Sequence, residues 1–186
     1  MLVRQERHSD RAAIAAIYRD VFNPGAAEHG TGDPMAAGPA HLETTAEAVL
    51  ADTLRAAKDA LRELSLVIET ACGEVVGHVM CSRGSLAGRP SIGLGPLAVA
   101  PSHQRRGAGS ALMHAVLGAA DALAEPEVFV LGDPAYYSRF GFVLAATLDL
   151  HPERPEWASH FQVRPLSAWD PQARGTFAYA PAFSSL

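Results

Sequence analysis

Lysine is nearly absent. Lys58 is the only one, and all remaining positive charge is arginine. Arginine and alanine share GC-rich codons, which accounts for the bias without invoking a function. Basic side chains number 15 against 20 acidic ones, a net charge of −5. No overall basic field therefore draws the chain to nucleic acid, although a local basic patch stays open. Cysteine is scarce too: Cys72 and Cys81 have neither CxxC nor metal-ligand spacing, so both read as reduced thiols and no metal site is expected. No apolar run approaches the roughly 20 residues of a membrane helix. The opening "MLVRQERHSD" carries charge too early and too often for a signal peptide. There is no internal repeat. The expectation is a soluble, cytoplasmic protein with neither membrane nor nucleic acid as partner. Its 186 residues suffice for one domain, 1–186, with a sizeable core.

Periodicity then places the elements. "LVRQE" (2–6) suits a first strand, and Ser9 or Asp10 caps a helix to about Phe22 whose Ile14, Ile17, Tyr18 and Val21 share a face. Residues 23–43 are rich in glycine, proline and alanine and read as a long loop. Thr44 and Glu47 form a T-x-x-E capping pattern for a helix to about Glu63. "SLVIET" (65–70) and "VVGHVMCSRGSL" (75–86) read as a hairpin, followed by the strand "SIGLGPLAVA" (91–100). Gly95-Pro96 should bend that strand in its middle, because proline donates no ladder hydrogen bond. A helix from Gly107 to Leu123, a buried strand 127–133, a short helix in "PAYYSRF", and strands at 142–150 and 173–183 complete the pattern. The proline-rich stretch around "HPERPEW" reads as irregular. The whole is mixed α/β: one sheet with helices on both faces, a hairpin meander first, then a parallel strand–helix–strand unit.

The densest signal is "LAVAPSHQRRGAGSALMHAV" (97–116), where an apolar strand meets a helix through two arginines and two glycines. A helix N-terminus offers unpaired N–H groups and the positive end of the macrodipole. Glycine lets an anion approach that backbone closely. Gln104, Arg105, Arg106, Gly107, Ala108, Gly109 and Ser110 thus outline an anion site, suited above all to a diphosphate. The Walker pattern is a poor fit because no lysine precedes Ser110. The dinucleotide fingerprint lacks its third glycine, since Leu112 stands there.

Q-x-x-G-x-G after an "LAV" strand closely resembles the acyl-CoA signature of the Gcn5-related N-acetyltransferases (GNAT). A second segment, "LGDPAYYSRFGF" (131–142), is similar to that family's downstream motif, with Tyr137 at the tyrosine position and Gly141-Phe142 as the closing pair. "GPLAVAP", and more weakly "WD" and "GTFAYAPAF", resemble a bacterial YhbS-like subgroup. The likeness follows element order over about residues 2–150, the family's core, with 151–186 as an extension. It implies a GNAT-like, mostly antiparallel sheet with a splayed parallel strand pair, and acetyl-CoA as cosubstrate. The pantetheine arm would lie in a V-shaped gap beside the backbone of Leu97, Ala98 and Val99, one of whose N–H groups would stabilise the oxyanion.

Acetyl transfer to an amine also needs a proton for the departing thiolate, and Tyr137 is the expected general acid. Tyr136 reads as packing, Arg139 as scaffold or a phosphate contact with scaffold favoured, His78 as a core histidine and His103 as solvent-facing. A base is harder to find. Many relatives carry a glutamate on the fourth strand, whereas "SIGLGPLAVA" has no acid. Asp133 stands nearby, yet aspartate before proline is a routine turn residue. His29 and His41 flank the long loop without a metal pattern, and that loop is where acceptor selection or a plain insertion would sit.

The expected activity is direct transfer, in a ternary complex, to a small-molecule or peptide amine. No cysteine in the motif segments supports a covalent acetyl-enzyme. A homodimer is compatible with these features but not required by them. The alternatives are a CoA-binding sensor that lost turnover, or a toxin of this fold acting on tRNA, which the negative charge disfavours.

Overall fold

In the computed structural model the chain is described over residues 1–23 and 44–185. Most of the sequence-predicted loop, with His29 and His41, lies outside these residues. Nine strands form one sheet among them: β1 (Leu2–Gln5), β2 (Ala60–Glu69), β3 (Val75–Leu86), β4 (Arg89–Val99), β5 (Glu127–Leu131), β6 (Val143–Leu144), β7 (Leu150–Pro152), β8 (Phe161–Pro165) and β9 (Gly175–Ala178). Their spatial order is β1-β2-β3-β4-β5-β8-β6, and β9 joins the far end of β3 while pairing with β7. Only β4–β5 and β7–β9 run parallel; the other pairings are antiparallel.

Side chains alternate across this sheet, so each face has its own apolar layer. On one face Leu64, Leu66 and Ile68 of β2 and Val76, Val79 and Cys81 of β3 pack beneath α3 (Ala108–Ala122), which contributes Leu112, Met113 and Val116. On the other, Val67, Met80 and Ala98 meet α1 (Arg11–Phe22) and α2 (Ala46–Ala57) through Ile14, Ile17, Tyr18, Leu50 and Leu54. A third cluster of Phe129, Phe161 and Phe177 lies under the carboxy-terminal strands.

A polar network anchors α1 and α2 to the sheet. Glu6 accepts from Ser65 (2.5 Å), lies 3.1 Å from His78 Nε2 and pairs with Arg55 of α2 at 2.9 Å. His78 Nδ1 contacts the Tyr18 hydroxyl of α1 at 2.5 Å. Burial alone would raise the Glu6 carboxyl, but the His78 and Ser65 hydrogen bonds and the Arg55 charge bring it down to about 2. Burial lowers the His78 pKa against the opposing pull of Glu6. A neutral ring donating to Glu6 and accepting from Tyr18 satisfies both nitrogens. His78 is thus the core histidine expected.

Several boundaries differ from the sequence reading. The N-cap of α2 is Thr45, whose side chain accepts from Ala48 N at 3.2 Å, rather than Thr44. That helix stops at Ala57 because Lys58 turns left-handed (φ +63°). The chain then enters β2 at Ala60, so Leu61 belongs to a strand and not to a helix face. The strand expected over 142–150 is broken: β6 is two residues long, Ala145–Leu148 form a 3-10 turn, and left-handed Asp149 (φ +58°) leads into β7. In the proline-rich segment Pro155–Trp157 form another 3-10 turn. Beyond it, β8 was not expected at all. It pairs with β5 along that strand's full length, from Glu127↔Pro165 to Leu131↔Phe161.

Candidate active site

The parallel pair at the centre of the sheet is short. Ile92, Gly93 and Leu94 of β4 pair with Val128, Phe129 and Val130 of β5, and there the ladder ends. Beyond Gly95-Pro96 each strand keeps its other neighbour. β4 stays on β3 through Leu97↔Val79, Ala98↔His78 and Val99↔Gly77, while Leu131 of β5 stays on β8. Pro96 has no N–H to offer a bridge. The two strands therefore part, as the family resemblance implies.

Strand alternation fixes what the gap receives. Ala100 N donates to Val76 O at 2.9 Å, so Ala98 and Ala100 turn toward β3. Leu97 and Val99, at the alternate positions, turn their amide and carbonyl groups into the gap. One of these, Val99 O, accepts from Gln104 Nε2 at 2.9 Å. Gln104 thereby braces the following loop against the strand.

That loop delivers the glycine-arginine corner. Gly107 is the N-cap of α3 with φ +87°, a left-handed conformation that glycine takes without steric cost. Ala111 N makes the first helical bond, to Gly107 O (2.9 Å), and no backbone carbonyl of the described residues accepts from the amides of Arg105 to Ser110. These are the orphan donors of a helix start, beside the positive end of its dipole.

A cavity of about 610 Å³ runs from this corner into the gap. It is lined at one end by Gln104, Arg105, Gly107, Gly109 and Ser110, and at the other by Leu97, Ala98, Val99 and Tyr137. Two residues of the sequence motif do not line it. Arg106 is exposed elsewhere, and Ala108 turns into the core beneath α3. Tyr136 and Arg139 do line it, which sequence reasoning had assigned to packing and scaffold. The Arg139 guanidinium stacks on the Tyr136 ring at 4.5 Å and donates to Tyr136 O at 3.1 Å, so both roles coexist. Asp133 accepts from Ala135 N at 2.9 Å as the cap of α4 (Pro134–Tyr137) and opens onto this same cavity.

Tyr137 closes the inner end. Its ring lies over Gly132, where a Cβ would stand 2.4 Å from Cε2. Burial pushes its hydroxyl well above the ordinary tyrosine pKa, with the neighbouring Tyr136 a smaller cause. That hydroxyl makes no hydrogen bond within the described residues.

Behind Tyr137 lies a second cavity, of about 350 Å³, which sequence reasoning missed. It shares Leu97 and Tyr137 with the first and is walled by Phe22, Leu50, Trp157, Tyr179 and Phe183. Two charged residues, Glu47 and Arg154, also line it. These residues come from both ends of the chain, and only Tyr179 and Phe183 lie in a segment, "GTFAYAPAF", that the sequence singled out. Among the described residues no three His, Cys, Asp or Glu side chains gather as metal ligands, and no helix is long and apolar enough to cross a membrane.

Residues 62–144 match the family model described as an acetyltransferase (GNAT) domain. The chain is 38% identical over 169 residues to the uncharacterized N-acetyltransferase YhbS of Escherichia coli K12, covering 90% of this chain and 88% of the relative. It belongs to the GNAT acetyltransferase family. The crystal structure of Escherichia coli YhbS in complex with CoA superposes with a TM-score of 0.82 at 31% identity, covering 98% of this chain and 91% of that one. A GNAT acetyltransferase from Brucella melitensis in complex with acetyl-CoA gives a TM-score of 0.71 at 29% identity, over 98% and 97% of the two chains. The sheet with its parted parallel pair is thus the GNAT fold.

Proposed function

We propose that this GNAT protein transfers the acetyl group of acetyl-CoA to an amine by direct attack in a ternary complex. The observation that carries the reading is the meeting of two cavities at Leu97 and Tyr137, across the point where β4 and β5 part. One cavity has the length and the orphan amides for CoA; the other gives a second molecule access to the same point.

The pyrophosphate sits on the amides of Gly107 to Ser110, with Arg105 as a cationic partner. The pantetheine arm follows the free backbone of Val99 and Leu97 in the place of a missing strand. The thioester carbonyl accepts from the Leu97 N–H, which favours the oxyanion as it forms. The acceptor nitrogen, as a free amine, attacks the thioester carbon. The tetrahedral adduct then collapses with loss of the C–S bond. Sulfur gains a proton as nitrogen loses one, so the products are an amide and the CoA thiol. Tyr137, kept protonated by burial, donates to the departing sulfur. Asp133 opens onto the same cavity as Leu97 and Tyr137.

Thiol release from acetyl-CoA across a panel of amino acids, polyamines, peptides and aminoglycosides tests this reading. Release with at least one amine, lost in Tyr137→Phe, is expected. Silence across the panel with acetyl-CoA tightly bound would favour a binding module instead.

A further inference from the structure

The acceptor cavity has a chemistry of its own. Its walls are aromatic, and it holds one acid and one base. Glu47 and Arg154 are each half-buried, and neither forms an ion pair among the described residues. Arg154 instead lies over the Trp157 ring at 4.8 Å, which fixes the guanidinium while leaving its fork of donors unused. The Tyr179 hydroxyl is buried, with the Leu131 backbone as the hydrogen-bonding group beside it. Its ring packs on Gly93, where a Cβ would come within 2.6 Å, so the tyrosine is held at the base of the parted strands. Half-buried charges without partners are costly to a protein alone. Both line one cavity with Tyr179, so a single ligand can satisfy them together.

We infer that the acceptor is a zwitterionic amine with a flat apolar body: a free aromatic amino acid or a close analogue. Its ammonium faces Glu47, its carboxylate takes the Arg154 fork, and its ring stacks among Trp157, Tyr179 and Phe183. A volume of about 350 Å³ accommodates one such molecule. A polyamine meets Arg154 with like charge and has no ring to stack. This inference rests on the ternary-complex reading for its location, but it concerns binding and can be tested apart from turnover.

The test is calorimetric titration of the CoA-loaded protein with L-phenylalanine, phenethylamine and phenylalaninamide. Phenylalanine should bind at least about tenfold more tightly than the two analogues that lack the carboxylate. Arg154→Ala should bring phenylalanine to the level of phenethylamine, with Arg154→Lys recovering part of the difference. Glu47→Gln should weaken all three ligands. Acetyl-CoA affinity and thermal midpoint serve as controls that the variants are folded. Equal binding of phenylalanine and phenethylamine, or no binding of either, overturns the inference. Polyamine acetylation in the thiol assay would overturn it while leaving the transferase reading intact. Arg154-dependent phenylalanine binding without thiol release would do the reverse.

Discussion

The cavity proposed for the cofactor and the one proposed for the acceptor share Leu97 and Tyr137, yet they are built in different ways. The side proposed for the cofactor draws on the free edge of β4 and the first turn of α3, from Leu97 to Ser110, and on a second run from Gly132 to Arg139. The acceptor side is made of side chains from α1, α2, a 3-10 turn and the carboxy-terminal segment. Backbone recognition needs glycine and a fixed strand–turn–helix order, so it leaves a local trace. Side-chain recognition needs only that distant residues converge, and it leaves none.

The largest effect should come from breaking the main-chain side. Gly107→Asp forces a side chain onto a left-handed position and sets a negative charge among the anion-binding amides. Affinity for CoA should fall by roughly a hundredfold or more, at a stability cost near 1 kcal/mol. Calorimetry and a thermal melt check both, and unchanged affinity would remove the corner from the site. Next comes the shared point. Tyr137→Phe should reduce kcat by about 10²-fold or more with KM for acetyl-CoA near the original, read from steady-state kinetics. A wild-type kcat would leave the tyrosine with a packing role alone.

Two glycines sharpen the contrast within the cofactor side. At Gly132 a Cβ would press on the ring of Tyr137 at 2.4 Å, whereas at Gly109 it would meet the hydroxyl tip of Tyr136 at 2.8 Å. Gly132→Ala must move the Tyr137 ring, so kcat should drop by roughly tenfold while CoA binding holds. Gly109→Ala asks only a side-chain tip to swing, and its kcat should change less. Equal losses of kcat would show that Tyr137 is not what Gly132 positions.

The smallest effect on the cofactor side should come from Glu6, which ties α1 and α2, and hence Phe22, Glu47 and Leu50, to the sheet. Glu6→Gln should cost about 1.5–3 kcal/mol at neutral pH by removing charged hydrogen bonds, while CoA affinity stays near the original. The folded-state carboxyl, at about 2, lies below its ordinary 4.5. Its stabilisation is therefore present above the ordinary value and is lost as pH falls from about 4.5 toward about 2. Melts at pH 7 and pH 3 should show the gap between the two proteins narrowing. A gap that stays constant would place the stabilisation elsewhere.

The same division governs what could be read in advance. The bend at Gly95-Pro96 and the start of α3 were legible because proline, glycine and an apolar run act locally, and the parting of β4 and β5 followed from the family resemblance. The end of α2 was not, because Lys58 turns left-handed where neither glycine nor proline marks a stop. β8 was hidden because the alternation of Phe161 and Val163 with Gln162 and Arg164 is only four residues long and closes on a proline. It is held by β5 and by Gln162, whose side chain donates to Gly132 O at 2.9 Å. Glu47 was read as a capping residue because T-x-x-E fits that pattern. In the fold Thr45 does the capping, and Glu47 lines the acceptor cavity.

A crystal structure of this protein grown with acetyl-CoA tests the central claim most directly. The diphosphate should accept from the amides of Gly107 to Ser110, with the thioester carbonyl at the Leu97 N–H and the sulfur beside the Tyr137 hydroxyl. A diphosphate seated away from the start of α3, or β4 and β5 paired to their ends with no arm between them, would contradict it.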